Sequence, residues 1–250
     1  LVKLKLDRFS WTPKRFSSRL GDIRDRMSTW SVMPEEDPKS LNQIEKYWTE
    51  KRIDDALEAF RGGYKDISLR LYFRVLMSAE QISEYRNILD FGAGTGSNSH
   101  MLSKIFPTTK FFCYDLAYKV PRVFDAFSKV MTTENVSYHS SIDNLISPGQ
   151  LIYSNLVFSH LSRYQLSVYL DIFKRNQSDI LMMANTLVAQ DEKAPHTRIR
   201  PNNIGLFDHN YQKFLTDAGY VIRWLYKMED PADKDKKMVI IYATAPVIGK

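Results

Sequence analysis

The chain is poor in cysteine. One thiol, Cys113, stands in 250 residues, so no internal disulfide can staple the fold. Its setting in the apolar run "KFFCYDL" reads as a buried, inert thiol, and a reducing cytoplasm fits. No uninterrupted run of about 18 apolar residues occurs, the length that a membrane-spanning helix requires. The opening "LVKLKLDRFSWTPKRF" alternates charge with apolar residues too finely for a signal-peptide core, so neither export nor membrane anchoring is expected. Internal repeats and low-complexity tracts are absent, and no metal site is expected.

What is present supports a substantial core. With 44% hydrophobic and 13% aromatic residues, the chain suits one large domain or one domain with an appendage. The formal charge of +6 is compatible with an anionic substrate, with a weak nucleic-acid surface, or with ordinary solubility.

The texture changes near residue 86. Upstream, "SLNQIEKYWTEKRIDDALEAF" and "DISLRLYFRVLMSAEQI" carry apolar residues at helical spacing, broken by Gly62 and Gly63. Residues 1–39 show no sustained period and read as an irregular arm. Residues 1–86 are thus expected to form an amino-terminal arm and helices, serving as lid or substrate region, and 87–250 the main domain. From Asn87 onward short apolar runs alternate with amphipathic stretches. Strands are expected at Ile88 to Phe91, Lys110 to Tyr114, Val136 to Tyr138, Leu151 to Ser154, Ile180 to Asn185, Val221 to Tyr226 and Met238 to Ala243. Helices are expected at Ser97 to Phe106, Val120 to Met131, Arg163 to Asn176 and His209 to Ala218. Only "EDPADKDK" separates the last two strands, which suits a hairpin loop and an antiparallel end to the sheet. The expectation is therefore an α/β fold, a Rossmann-like, seven-stranded, mostly parallel sheet with an antiparallel last strand and helices on both faces.

Three glycines, Gly92, Gly94 and Gly96, follow the first expected strand directly and precede a helix. A strand that runs into a helix leaves the helix's first N–H groups facing the crevice at the strand's carboxyl end, where open α/β sheets bind ligands. Glycine lets backbone approach a ligand with no Cβ in the way. Twenty-one residues beyond Gly94, the second strand ends in Asp115, placed to accept both hydroxyl hydrogens of a ribose. A dinucleotide fingerprint would require glycine at position 97, where Ser97 stands, and a P-loop would require a following Gly-Lys-Ser/Thr. Neither is present.

The stretch Asp90-Phe91-Gly92-Ala93-Gly94-Thr95-Gly96 closely resembles the first motif of the class I S-adenosylmethionine-dependent methyltransferases. The resemblance extends over about residues 65 to 245. "NVSYHSSIDNL" looks like the third motif, "QLIYSNLVFSHLSRYQL" the fourth, and "YQKFLTDAGYVIRWLYK" the helix and sixth strand that follow. It implies S-adenosyl-L-methionine as cofactor. By the same resemblance Asp90, Gly92, Ala93, Gly94 and Gly96 organise the loop and the methionine end, Asp115 and Leu116 flank the ribose, Ser141, Ile142 and Asp143 stand at the adenine, and Asn155 belongs to the fourth motif. The adenine-binding acid is displaced by one position or replaced.

A sulfonium methyl is already activated, so the protein chiefly positions the acceptor, and an oxygen acceptor of high pKa also needs a base. His160, just after the fourth strand, is the first candidate; capping or packing there is the plainer alternative. His209 and His196 are further candidates, whereas His100 and His139 fall where structural roles are expected. Substrate choice is expected from the amino-terminal helices and the segment 190–207, where Lys193, His196, Arg198 and Arg200 could recognise phosphate or carboxylate or simply be solvated. Tyr64, Tyr72 and Phe73 read as core or as a cover over the cofactor. The Asn/Asp-Pro-Pro-aromatic tetrad of amino-methylating nucleic-acid enzymes is replaced by Ser154-Asn155-Leu156-Val157, and no Pro-Cys nucleophile exists, so DNA is not an expected partner. The expected acceptor is a small molecule, anionic in one version: O-methylation of a sugar, phosphorylated or nucleotide-activated metabolite. Two other readings stay open, a catalytically inactive cofactor-binding scaffold and an RNA methyltransferase whose Lys3, Lys5, Arg8, Lys14, Arg15 and Arg19 track a backbone. The sequence fixes no oligomeric state.

Overall fold

A strand buried on both faces must be apolar almost throughout, and "ILDF" is buried at each of its four positions. It belongs to β1 (Asn87–Phe91), the centre of a computed structural model that describes residues 80–119, 121, 124–125, 128, 133–186, 197–199, 207–230 and 233–246. The other strands are β2 (Lys110–Tyr114), β3 (Val136–His139), β4 (Leu151–Asn155), β5 (Asp179–Thr186), β6 (Thr197–Ile199), β7 (Phe207–His209), β8 (Val221–Asp230) and β9 (Asp233–Thr244). Among the described residues, helices follow β1, β4 and β7 as α1 (Ser97–Ile105), α2 (Arg163–Arg175) and α3 (Tyr211–Asp217).

Seven strands make one sheet in the order β3-β2-β1-β4-β5-β9-β8. The first five are mutually parallel, and β9 runs antiparallel between β5 and β8. The chain works outward from β1 through β2 to β3 and then returns to lay β4 on the other side of β1. That reversal opens a crevice above the carboxyl ends of β1 and β4, the usual ligand position in such sheets. Strand alternation sends side chains to two cores. Ile88, Phe111, Tyr138 and Tyr153 pack on one face with Leu102 of α1; Leu89, Phe91, Ile152 and Met182 pack on the other with Leu166, Leu170 and Phe173 of α2.

All seven expected strands occupy this sheet, and its mixed topology is the expected one. Two details are corrected. Within the segment read as a loop, β6 and β7 form a separate two-stranded pair, so His209 ends β7 and does not open a helix. The helix starts two residues later because Asn210 is its cap, its side chain accepting from the Lys213 N–H at 3.1 Å. Secondly, β8 and β9 extend through much of the presumed hairpin loop and leave only positions 231–232 between them. Beyond the Thr186–Lys237 pair this part of β9 bonds only to β8, so its polar composition conceals a strand. The arm 1–39, the helix expected over 40–60, most of the helix expected after it, and the aromatic residues Tyr64, Tyr72 and Phe73 lie outside the described residues. So does the proposed division at residue 86 on its amino-terminal side, although residues 80–83 are helical and Ile82 is fully buried in the first core.

The amino edge of the sheet is fastened by Asp179. Its Oδ1 accepts the Ala245 N–H at 2.7 Å, and its Oδ2 accepts the Tyr85 hydroxyl, which also bonds the Tyr242 hydroxyl at 2.8 Å. Burial, then the bond to Asp179, pushes the Tyr85 phenol well above its ordinary range, so Tyr85 is a constant donor. Tyr85→Phe removes a hydrogen bond to a charged group, about 2 kcal/mol, and is expected to lower Tm by roughly 4–8 °C in a scan. An unchanged Tm would show that this clasp contributes nothing.

Candidate functional site

The three glycines form a loop tied to the neighbouring strand. The Gly92 and Ala93 N–H groups both donate to the Tyr114 carbonyl, at 2.8 and 3.0 Å, which fastens the end of β1 to the end of β2. Gly92 has φ 77°, and a Cβ there would lie 2.2 Å from Val157 Cγ2. Gly96, the left-handed N-cap of α1, would bring a Cβ to 2.1 Å from the Tyr138 hydroxyl. Gly94 differs: a Cβ on it would meet nothing within 4 Å, so at its midpoint the loop presents bare backbone to open space.

Asp115 follows β2 and accepts the Gly94 N–H on Oδ2 at 2.9 Å. The carboxylate is thereby set against the glycine loop, half-buried, at the crevice. Leu116 begins a 3-10 turn, Leu116–Lys119, that carries Tyr118 under the loop. Asp90 points the other way, beneath β1's carboxyl end, and is 1% exposed. Its Oδ2 accepts the Ser99 hydroxyl of α1 at 2.7 Å, while Oδ1 has no partner among the described residues. Burial, with a smaller push from the Asp115 charge, raises its carboxyl to about 7 against the opposing Ser99 bond.

The turn after β4 completes the arrangement. Leu156 takes φ 65°, a left-handed conformation that costs a residue with a side chain about 1–2 kcal/mol. It bends the chain so that Val157 lies on Gly92. His160 then ends a 3-10 turn, Phe158–His160, its N–H donating to the Val157 carbonyl at 2.8 Å, and Ser162 caps α2 in a reciprocal box with Gln165. His160 is thus partly exposed and held between a closed turn and a capped helix. His209 is fully buried among Phe207, Tyr211 and Phe214. Its Nε2 lies 2.8 Å from the Leu161 carbonyl, and a carbonyl only accepts, so that nitrogen carries the proton. The bond ties β7 to the residue that follows His160.

Other expected residues divide between the crevice and elsewhere. Ser141, Ile142 and Asp143 follow β3; Asp143 accepts the Ser141 hydroxyl at 2.7 Å and its own N–H donates back to Ser141 Oγ at 3.1 Å, so the acid closes its own turn. Leu116 and Ile142, from separate loops, both pack partly buried against the α2-side core. Asn155 ends β4 at the crevice. His100 lies on α1 against Tyr138, and His139 ends β3, where Ser137 bonds its Nε2 at 2.8 Å and burial lowers its pKa. Lys193, His196 and Arg200 lie outside the described residues, and Arg198 is placed only as the middle of β6. Ser99, Tyr118, Tyr138, Leu156 and Val157 were not anticipated. Tyr118, three residues after Asp115, is the only one whose spacing could have suggested contact with the loop. Among the described residues no group of His, Cys, Asp and Glu could hold a metal ion, and no helix is long and apolar enough to cross a membrane.

No protein-family model and no curated protein matches the sequence. Solved structures do match in fold. The Burkholderia thailandensis 1,6-didemethyltoxoflavin-N1-methyltransferase, bound to 1,6-didemethyltoxoflavin and S-adenosylhomocysteine, superposes with a TM-score of 0.61 over 86% of this chain and 93% of its own, at 11% identity. Human N-acetylserotonin methyltransferase in complex with S-adenosylmethionine gives 0.57 over 94% of this chain and 68% of its own, at 17% identity. The chain has the class I methyltransferase fold. Magnesium protoporphyrin IX methyltransferase from Synechocystis, with bound S-adenosylhomocysteine, adds a TM-score of 0.55 over 82% of this chain and 99% of its own, at 12% identity. In this methyltransferase fold the glycine loop, Asp115 and the His160 turn occupy the crevice at the switch between β1 and β4.

Proposed function

We propose that the protein is an S-adenosylmethionine-dependent methyltransferase that methylates a hydroxyl oxygen of a small molecule. The observation that carries the reading is the seating of Val157 on Gly92, which sets the His160 turn directly against the glycine loop. The residues fit the cofactor: Gly94 faces open space, and a carboxylate stands beside it at the end of β2. Asp115 would accept the ribose hydroxyls, Gly92, Ala93, Gly94 and Gly96 would lie along the methionine end above Asp90, and Leu116 and Ile142 would flank the adenine. Ser141, Asp143 and Asn155 would supply its polar edge.

When bound, the cofactor would supply an electrophilic sulfonium methyl group for transfer to an acceptor oxygen. His160 takes the acceptor's proton so that no free alkoxide has to form. His209 holds the carbonyl next to His160 and acts through it, as a positioning residue. Support for a small acceptor comes from the names of the fold relatives, which carry N-acetylserotonin, magnesium protoporphyrin IX and 1,6-didemethyltoxoflavin. The net charge of +6 and the basic residues of 190–207 support an anionic one, such as a sugar, phosphorylated or nucleotide-activated metabolite.

Calorimetry with S-adenosylhomocysteine, followed by transfer of labelled methyl from S-adenosylmethionine to a panel of hydroxylated and phosphorylated small molecules, tests the reading. His160→Ala is expected to keep cofactor affinity and lose transfer by about 10²–10⁴-fold. Full transfer by that variant removes His160 from the mechanism, and no binding by the wild type sinks the methyltransferase reading.

A further inference from the structure

We propose that Tyr118 and Tyr138 are positioning residues that preset the glycine loop for the nucleotide, an inference that rests on the cofactor site proposed above. Two buried hydroxyls reach the loop from below. The Tyr118 hydroxyl donates to the Gly94 carbonyl at 2.8 Å, and the Tyr138 hydroxyl donates to the Thr95 carbonyl at 3.1 Å. The tyrosines come from different elements, the turn after β2 and the middle of β3, and are 1% and 6% exposed. Their rings meet edge to face at 5.4 Å between centroids, so each fixes the other.

The bonds have a directional consequence. In a trans peptide the N–H points away from its carbonyl. Drawing the Gly94 carbonyl down onto Tyr118 therefore turns the Thr95 N–H to the opposite side of the loop, toward the crevice. Gly94 is held at both polar groups by one short segment, since Asp115 accepts its N–H and Tyr118 donates to its carbonyl. The Tyr118 N–H in turn donates to the Asp115 carbonyl at 3.0 Å. The loop and the ribose carboxylate thus form one closed unit, set before any ligand arrives. Binding to a preset loop avoids the ordering cost that a slack loop would incur. Gly96 belongs to the same device, because only a residue without Cβ lets the Tyr138 hydroxyl lie this close.

The test uses Tyr118→Phe, Tyr138→Phe and the double variant, with Tyr220→Phe as a matched control that loses a buried hydroxyl bond to the Ser178 carbonyl at the other end of the sheet. Calorimetry with S-adenosylhomocysteine is expected to show about fivefold weaker binding for each loop variant and about twentyfold or more for the double one, as for one and two neutral hydrogen bonds. The Tyr220 variant is expected to lose Tm and keep wild-type affinity. Amide hydrogen exchange supplies a readout that needs no ligand: the Gly96 N–H, bonded to the Ala93 carbonyl at 2.9 Å, should exchange about tenfold faster in the double variant. Wild-type affinity or wild-type exchange in the double variant overturns the proposal. A wild type that binds no S-adenosylhomocysteine defeats the cofactor reading instead, and the exchange result then decides alone whether the hydroxyls hold the loop.

Discussion

Replacing Asp115 with alanine is expected to weaken S-adenosylhomocysteine binding by at least about a hundredfold, because hydrogen bonds to an ionised acceptor contribute roughly 1.5–3 kcal/mol each and a ribose offers two hydroxyl donors. A second loss compounds the first. Oδ2 already accepts the Gly94 N–H, so truncation also removes one of the two bonds that hold the midpoint of the glycine loop and leaves only the Tyr118 hydroxyl on its carbonyl. Asp115→Asn separates the two contributions. Its amide oxygen can still accept from Gly94 or from one hydroxyl, but its NH₂ faces a second donor, and an intermediate loss of about tenfold is expected. Neither change should unfold the protein, since Asp115 is only half-buried and follows the end of β2. Calorimetry with a parallel melting curve measures both. An alanine variant that binds within roughly threefold of the wild type would exclude Asp115 as the ribose acceptor.

What the sequence could disclose followed from periodicity and from glycine. β1, β2, β4 and β5 are nearly continuous apolar runs because both of their faces are covered, and such runs are legible without a structure. The crevice could be anticipated because a glycine cluster between an apolar strand and a helix has few other physical uses. Short buried strands with polar residues were not legible. β7 is "FDH", and Asp208 and His209 are fully buried there, which no composition rule announces. Leu156 was equally hidden, since nothing in a leucine signals a positive φ; the surrounding turn imposes it. Tyr118 and Tyr138 belong to the first core, and only their hydroxyls emerge under the loop. Side-chain tips are set by tertiary contacts, and for that reason the second layer of the site became visible only with the fold.

Asp90→Asn is expected to stabilise the protein in a pH-dependent way. Asp90 is buried, with one oxygen on the Ser99 hydroxyl and the other without a partner among the described residues. Cys113 of β2 and Tyr153 of β4 flank it in register, and the Asp115 charge adds to the burial that raises its carboxyl, so no described neighbour offers it a positive counter-charge. Its carboxyl ordinarily titrates near 3.8 and is pushed up to about 7. Well below 3.8 the group is protonated whether the chain is folded or not, and ionisation costs nothing. As pH rises, the unfolded chain releases its proton first while the folded chain retains it, so stability falls until the folded group ionises near 7 and the full cost is reached. Asparagine cannot ionise, and its oxygen can keep the Ser99 bond. The variant should therefore match the wild type within about 1 kcal/mol near pH 4.5 and exceed it by about 2–4 kcal/mol at pH 8. Urea unfolding at both pH values measures the difference, and a gap that does not change with pH would mean that Asp90 is not ionised at a cost. The same substitution is expected to weaken S-adenosylmethionine binding by about tenfold, because the loop loses the negative charge beneath it. Opposite signs for stability and affinity would show that the carboxylate is kept under the glycine loop for binding, against the preference of the fold.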